Sequence, residues 1–239
     1  MKFNEELKEG VFVKRYKRFL VDVRLANGDL LTMHCPNTGS MKNCGEPGDQ
    51  VWFSQSDNPK RKYAHTWELV RLTEGHLACI NTHQANGLVK EAIDKACLPE
   101  LAGYQTVRTE VGYGLEGSRI DLLLESGSQA PRCYVEVKSV TLAMGEGLGL
   151  FPDSKSARGA KHLRELMAMR ALGHRAVLFF CVLHEGISEV RPADNIDLIY
   201  GTLLREAMAA GVEVFAYGVL ISKVGMSIST RLSVVCPDL

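Results

Sequence analysis

The sequence has no excess of either charge: Lys+Arg and Asp+Glu each total 28 in 239 residues. That balance excludes a molecule-wide basic field for nucleic acid, so any polyanion site must be a local patch. It also excludes the regime of disordered chains, because 46% of residues are apolar and 23% charged, ordinary globular values. No run of about 18 apolar residues exists, so there is no candidate transmembrane helix. The opening MKFNEELKEG carries three glutamates and no apolar core, unlike a secretory signal. The seven cysteines are odd in number and scattered, which fits reduced thiols in a cytoplasm better than a disulfide framework. There is no internal repeat and no low-complexity tract. GEGLGL matches neither G-x-G-x-x-G nor a Walker loop.

What is present divides into two textures. Up to residue 80 the chain reads as short strands: VFVKRYKRFLVDVRL, LLTMHC after an Asn-Gly turn, VWFSQS, TWELVRL and LACI. Five short strands in about 70 residues suggest a small β-barrel of the OB type, with a β-sandwich lobe as the alternative. From residue 81 to 239 the pattern changes. ANGLVKEAIDKACL reads as a helix with Leu88, Val89, Ala92, Ile93 and Ala96 on one face. Three strands follow (QTVRTEVGYG, RIDLLLE, CYVEVKSV), then a glycine-rich link, GEGLGLFPDS. A second helix, SARGAKHLRELMAMRALG, closes at Gly173, and RAVLFFCVL has the continuous apolarity of a strand buried on both faces. A further helix, IDLIYGTLLREAMAAG, and a strand, VEVFAYGVLI, end the pattern. The order is that of a mixed α/β (α+β) domain.

The chemistry sits in RID…YVEVKSV. Side chains alternate along a strand, so Glu136 and Lys138 share one face and Val135 and Val137 the other. If the two strands pair, Asp121 converges on Glu136. Two close carboxylates repel, and a hard divalent cation removes that cost. Mg²⁺, which keeps waters for chemistry, suits the pair; Mn²⁺ is the near equivalent. Lys138 can then orient or help deprotonate an attacking water and offset phosphodiester charge. An isolated Glu-x-Lys is more often a solvated ion pair; the preceding acid and flanking helices set this one apart.

The helix–three strands–helix–strand order, with Asp on one strand and Glu-x-Lys on the next, resembles the PD-(D/E)xK nuclease superfamily. The resemblance implies metal and lysine roles for Asp121, Glu136 and Lys138. It also implies a further acidic ligand at Glu91, whose alternative is an ordinary surface glutamate. On the second helix Arg158, Lys161, His162 and Glu165 share a face at i, i+3, i+4, i+7. There the superfamily often places a Gln or Lys, and Lys161 is the best match, with His162 behind it; a solvated polar face is the alternative. Over nearly the whole chain, YKRFLVDV, HCPNTGSM, SDNPKRKYAHTWEL, NGLVKEAI, SRIDLLLE, YVEVKSVTL and RGAKHLRELM resemble the sugar fermentation stimulation protein A family. That resemblance implies an OB-like lobe on a restriction-endonuclease-like domain, DNA binding, and regulation of sugar (maltose) metabolism in bacteria.

Charge is unevenly spread. Lys14, Arg15, Lys17 and Arg18 surround Tyr16 and Phe19, and Lys60, Arg61 and Lys62 adjoin Tyr63, His65 and Trp67. Basic groups bind phosphates and aromatic faces stack on unpaired bases, as in OB-type barrels, although the aromatics can equally be barrel core. Between Lys155 and Arg175 there are six Lys/Arg and one acid, so Arg158, Lys161 and His162 are also candidate contacts. In HCPNTGSMKNCG, His34, Cys35, Cys44 and His65 lack zinc spacing because no C-x₂-C occurs. Asn37, Thr38, Gly39 and Ser40 either contact a phosphate or the second lobe, or merely link strands. A helix-turn-helix over 201–220, suggested for the resembled family, is disfavoured because VEVFAYGVLI makes a poor recognition helix. The sequence thus predicts a Mg²⁺- or Mn²⁺-dependent nuclease on DNA, single-stranded or otherwise, with RNA open. The alternative is a DNA-binding regulator with a silent nuclease-like site. A hydrolase of small phosphorylated sugars or nucleotides is a third class.

Overall fold

The computed structural model describes residues 1–127 and 130–238. The N-terminal strands are β1 (Lys8–Tyr16), β2 (Leu20–Arg24), β3 (Leu30–His34), β4 (Gln50–Gln55), β5 (His65–Arg71) and β6 (Leu77–Cys79). Their order is β3-β2-β1-β4-β5-β6, and a β3–β5 pairing at His34 and Thr66 closes five of them into an OB barrel. The apolar run VFVKRYKRFLVDVRL is two strands: Lys17 and Arg18 have positive φ and turn the chain between β1 and β2. Alternation sends Phe12, Val21, Val23, Met33, Val51, Phe53 and Trp67 inward.

The second lobe contains α1 (Gln84–Asp94), β7 (Thr106–Tyr113), β8 (Ser118–Glu125), β9 (Cys133–Val140), β10 (Leu142–Ala143) and β11 (Leu148–Phe151). It continues with α2 (Ala157–Ala171), β12 (Arg175–Val182), β13 (Glu189–Pro192), α3 (Leu198–Ala209), β14 (Glu213–Ser222) and β15 (Gly225–Val234). The nine strands form one mixed sheet, β10-β11-β13-β15-β14-β12-β9-β8-β7. Helix α1 covers one face through Ala85, Leu88, Val89 and Ala92. Helices α2 and α3 cover the other through Leu163, Leu166, Tyr200 and Leu204. Strand β12 feeds both: Val177, Phe179 and Cys181 join the α1 side, and Leu178, Phe180 and Val182 the α2 side. Its unbroken apolarity follows from burial on two faces.

Several expectations need correction. The glycine-rich link contains β11, which pairs with β10 just before the link; Leu148–Phe151 also pairs with β13, a strand with no counterpart among the expected elements, as β15 has none. In both cases short length or polar alternation hides the signal. Ala96 lies beyond α1, exposed and at positive φ, so the apolar face ends earlier than expected. After α3 the chain enters β14, so the 201–220 region has no second helix.

The lobes are stitched together. Cys79 N–H donates to Leu183 O at 2.9 Å and Leu77 N–H to Glu185 at 2.9 Å. Asp153 accepts from Ser40 N–H at 2.7 Å, and Asn43 donates to Ala143 O at 2.9 Å. The 37–40 loop therefore joins the barrel to the second lobe. A Cβ at Gly39 would lie 2.3 Å from Asp153 Oδ2, which explains the glycine there. All seven cysteines are free, and no described helix is long and apolar enough to cross a membrane.

Candidate metal and phosphodiester site

The geometry begins where two strands part. β8 and β9 pair from Leu124–Cys133 to Leu122–Val135 and then fork. Asp121 and Glu136 are the next residues on either arm. The Asp121 carboxylate fills the fork, accepting Val137 N–H at 2.7 Å and Asn86 Nδ2 of α1 at 2.8 Å. It is a buried acid: burial, and then the neighbouring Glu136 charge, raise its pKa to about 6.

Glu136 is 2% exposed. Its Oε1 accepts from Lys138 Nζ at 2.6 Å and from His162 Nδ1 of α2. Burial alone would raise its pKa; the His162 hydrogen bond and the Lys138 charge outweigh burial and hold it low. Arg158 Nε donates to His162 Nε2 at 3.3 Å. That assigns the imidazole proton to Nδ1, facing Glu136. Glu136 Oε2 is buried and has no hydrogen-bond partner. Two further buried hydroxyls, Tyr113 and Tyr200, also lack partners, and their pKa values are pushed up by burial first and by the Glu136 charge second.

An unpartnered carboxylate oxygen beside a second, electrostatically penalised carboxylate is the donor set a hard cation satisfies. Among the described residues no three His, Cys, Asp or Glu side chains form a ready-made cage. A cation here would complete its shell with water and substrate oxygens, the habit of Mg²⁺. Asp121 and Glu136 are the residues to hold it.

The structure separates other candidates from this cluster. Glu91 binds the Met1 amine and Lys95, the latter at 2.8 Å, and these hydrogen bonds, Lys95 first, lower its pKa. Asn86 is the α1 residue at Asp121, and five positions later Glu91 is rotated about 140° around the helix. Lys161 donates to Glu116 O at 2.6 Å, away from Asp121 and Glu136. The inner face of α2 runs through His162, Leu163, Leu166 and Met169, so His162 points in and its neighbour out. Glu165, also inward and 2% exposed, accepts Leu115 and Glu116 N–H at 3.0 and 2.7 Å and fixes the β7–β8 turn. The i, i+3, i+4, i+7 face is thus divided between site, turn and solvent. Asn86 and the partnerless tyrosines were not found from sequence, because neutral residues carry no spacing signature.

The basic patches divide too. Arg15 donates to the carbonyls of Arg18, Asn37, Gly39 and Ser40, so it holds the loop and is spent as a phosphate donor. Lys14 sits 3.6 Å from Asp22 and over the Tyr16 ring. Arg61 donates to Thr66 at 2.9 Å, and Lys62 lies over Tyr63. Lys17, Arg18 and Lys60 are exposed at loop tips, with Phe19 44% exposed beside the first two. Trp67 is core, its Nε1 donating to Leu69 O at 2.9 Å. His34, Cys35 and Cys44 make no metal cluster; burial raises the Cys44 thiol to about 12.

Comparison with known proteins gives consistent results. Family models described as "Sugar fermentation stimulation protein RE domain" and "SfsA N-terminal OB domain" match residues 83–225 and 13–80. A sugar fermentation stimulation protein homolog of Shewanella frigidimarina is 55% identical over 234 residues, covering 98% of this chain and 99% of that one. One of Teredinibacter turnerae is 61% identical over 216 residues, covering 90% and 91%. The solved structure of Pyrococcus furiosus SfsA in complex with Ca²⁺ superposes with a TM-score of 0.86 at 28% identity, covering 98% of each chain.

Proposed function

The chain belongs to the sugar fermentation stimulation protein family, and on that premise we propose that it is a divalent-cation-dependent phosphodiesterase acting on nucleic acid, DNA foremost. The observation that carries the reading is the buried Glu136 carboxylate, with one oxygen bound by Lys138 and His162 and the other unpartnered beside Asp121. The Pyrococcus furiosus relative was solved in complex with Ca²⁺, which supports a hard-cation site of this class.

A bound Mg²⁺ or Mn²⁺ would supply charge neutralisation at the phosphate and acidify a nearby water. The chain's own groups do the rest. Lys138, fixed by Glu136 Oε1, presents an ammonium to orient the attacking water and to meet charge developing on the phosphoryl oxygens. His162, locked by Arg158, turns Glu136 so that Oε2 faces the site. Asn86 and Val137 N–H hold Asp121 at the fork. Lys17, Arg18 and Lys60 offer sequence-independent phosphate contacts from the barrel.

The test is incubation of the full chain with single- and double-stranded DNA and RNA, with Mg²⁺ or Mn²⁺. Cleavage should vanish in Asp121→Ala and Lys138→Ala. Cleavage that persists in both variants comes from elsewhere and ends this reading. Salt-sensitive DNA binding without cleavage, unchanged by Asp121→Asn, would instead establish a regulator with a silent site.

A further inference from the structure

The turn between β7 and β8, residues 114–117, carries the most exposed large apolar side chain among the described residues: Leu115 is 96% exposed. A lone exposed leucine is ordinary on a surface. This one stands on a pinned backbone. Glu165 of α2 accepts Leu115 and Glu116 N–H at 3.0 and 2.7 Å, and Lys161 donates to Glu116 O at 2.6 Å. Arg164 grips the Glu116 carboxylate with two nitrogens at 3.0 and 2.9 Å. Gly114 has φ +73°, and a Cβ there would collide with the Glu165 carboxylate, so the turn lies directly against it. Glu165 is buried, and a buried carboxylate is costly unless hydrogen-bonded; the turn supplies those bonds. Three α2 side chains thus hold rigid a segment whose leucine buries nothing within the chain.

The clamp and the carboxylate pair hang from the same helix. His162, which bonds Glu136 and contacts Lys138, and Glu165, which holds the turn, are both on the inner face of α2, three residues or about 4.5 Å apart along its axis. Tyr113 opens the turn and packs in the α2-side core, the face to which Glu136 and Lys138 also point. Its hydroxyl is raised in pKa by burial first and then by the charges of Glu136, Glu165 and Asp121, so clamp and carboxylate pair both lie within its electrostatic reach. Along β8, Asp121 follows the end of the turn by four residues, about 13 Å or roughly four base steps of a duplex. The surroundings of the tip are cationic: Lys161 and Arg164 bond the turn, Arg119 follows it, and its one carboxylate, Glu116, is paired with Arg164. No other large exposed apolar side chain belongs to β7, β8 or α2 among the described residues, so there is no apolar patch to seat a protein partner. A single apolar tip flanked by cations fits a polyanion with an apolar interior, which is the stacked core of a nucleic acid.

Resting on the phosphodiesterase reading, we propose that the clamped β7–β8 turn is a wedge: Leu115 inserts between stacked bases of a bound duplex a few base steps from the phosphate at Asp121 and Glu136, and opens that step. Apolar side chains inserted in this way unstack and kink a duplex, and the bend brings more of it against the protein. The clamp lets the side chain enter without first ordering the turn, so little affinity is lost to conformational entropy.

The test titrates the full chain, in chelator and without Mg²⁺, into short DNA duplexes of one sequence carrying 2-aminopurine at successive positions. This base brightens when it is unstacked, and anisotropy of an end label reads affinity. Wild type should brighten the duplex on binding. Leu115→Ser should abolish the brightening and bind about tenfold more weakly, the lost burial being partly offset by unstacking no longer done. Leu115→Phe, another wedge, should keep both signals. The melting temperature of Leu115→Ser should stay within about 2 °C of wild type, because the side chain is almost wholly in solvent. Brightening that persists in Leu115→Ser, or weaker binding by that variant with no brightening in wild type, overturns the inference. So does a change in the oligomeric state of Leu115→Ser without DNA, which would assign the tip to a second copy of the chain. In each of these cases Asp121-dependent cleavage would leave the phosphodiesterase reading standing. Failure to bind any nucleic acid overturns both.

Discussion

Replacing Asp121 by Asn should stabilise the cation-free protein, an unusual direction for a buried polar substitution. Burial and the Glu136 charge raise the Asp121 pKa from 3.8 to about 6 in the folded chain. Between those values the folded state binds more protons than the unfolded one, so stability falls as pH rises. The penalty is absent below about pH 4 and complete above about pH 6. A shift of roughly two units amounts to about 3 kcal/mol. Asparagine removes the charge yet keeps the contacts: its oxygen accepts Val137 N–H, and its amide donates to Asn86 once that side chain flips. In a chelator at pH 7.5, Asp121→Asn should therefore be more stable than wild type by about 2–3 kcal/mol. At roughly 2–4 °C per kcal/mol that is a rise in Tm of about 6 °C by calorimetry. The two proteins should converge near pH 4. Saturating Mg²⁺ should raise wild type alone, by about 2.7 kcal/mol at a hundred times Kd. A variant that is less stable at pH 7.5, or a gap that does not change with pH, would refute the electrostatic account of the fork.

Other substitutions separate neighbours that the sequence groups together. His162→Gln should weaken divalent binding about 10- to 100-fold, whereas Lys161→Ala and Glu91→Gln should change it less than twofold, as read by calorimetric titration. Arg15→Ala should lower stability by about 1–3 kcal/mol in urea unfolding, because four loop carbonyls lose their donor. Lys17→Ala and Arg18→Ala should leave stability within about 0.5 kcal/mol but each reduce the slope of log affinity for DNA against log salt by about 1. Gly39→Ala should loosen the lobes, since its methyl would press on Asp153, and should raise proteolytic nicking of the 37–41 loop.

The parts legible from sequence are those with strong local physics. Barrel closure follows from short alternating strands, and β12 from unbroken apolarity. The Asp121–Glu136–Lys138 group follows from alternation plus one hairpin. What stayed hidden depends on rotation and partners. Whether Lys161 or His162 faces inward is a matter of 100° around α2, which an amphipathic count over mixed polar residues leaves undetermined. Asn86 in place of Glu91 is the same problem on α1. Arg15 reads as a phosphate ligand because its four carbonyl partners are brought near only by the folded 37–40 loop. Strand β13 has both its partners, β11 and β15, far away along the chain, while β11 is too short and β15, though hairpinned to β14, too polar in its alternation to announce itself.

The central claim is that Asp121 and Glu136 hold one hard cation. Its most direct measurement is calorimetric titration of Mg²⁺, and separately Mn²⁺, into chelator-stripped wild type, Asp121→Ala and Lys138→Ala. The prediction is one site per chain in wild type, at least tenfold weaker in Asp121→Ala, and retained in Lys138→Ala. Equal binding in wild type and Asp121→Ala, or no binding in wild type, would contradict it.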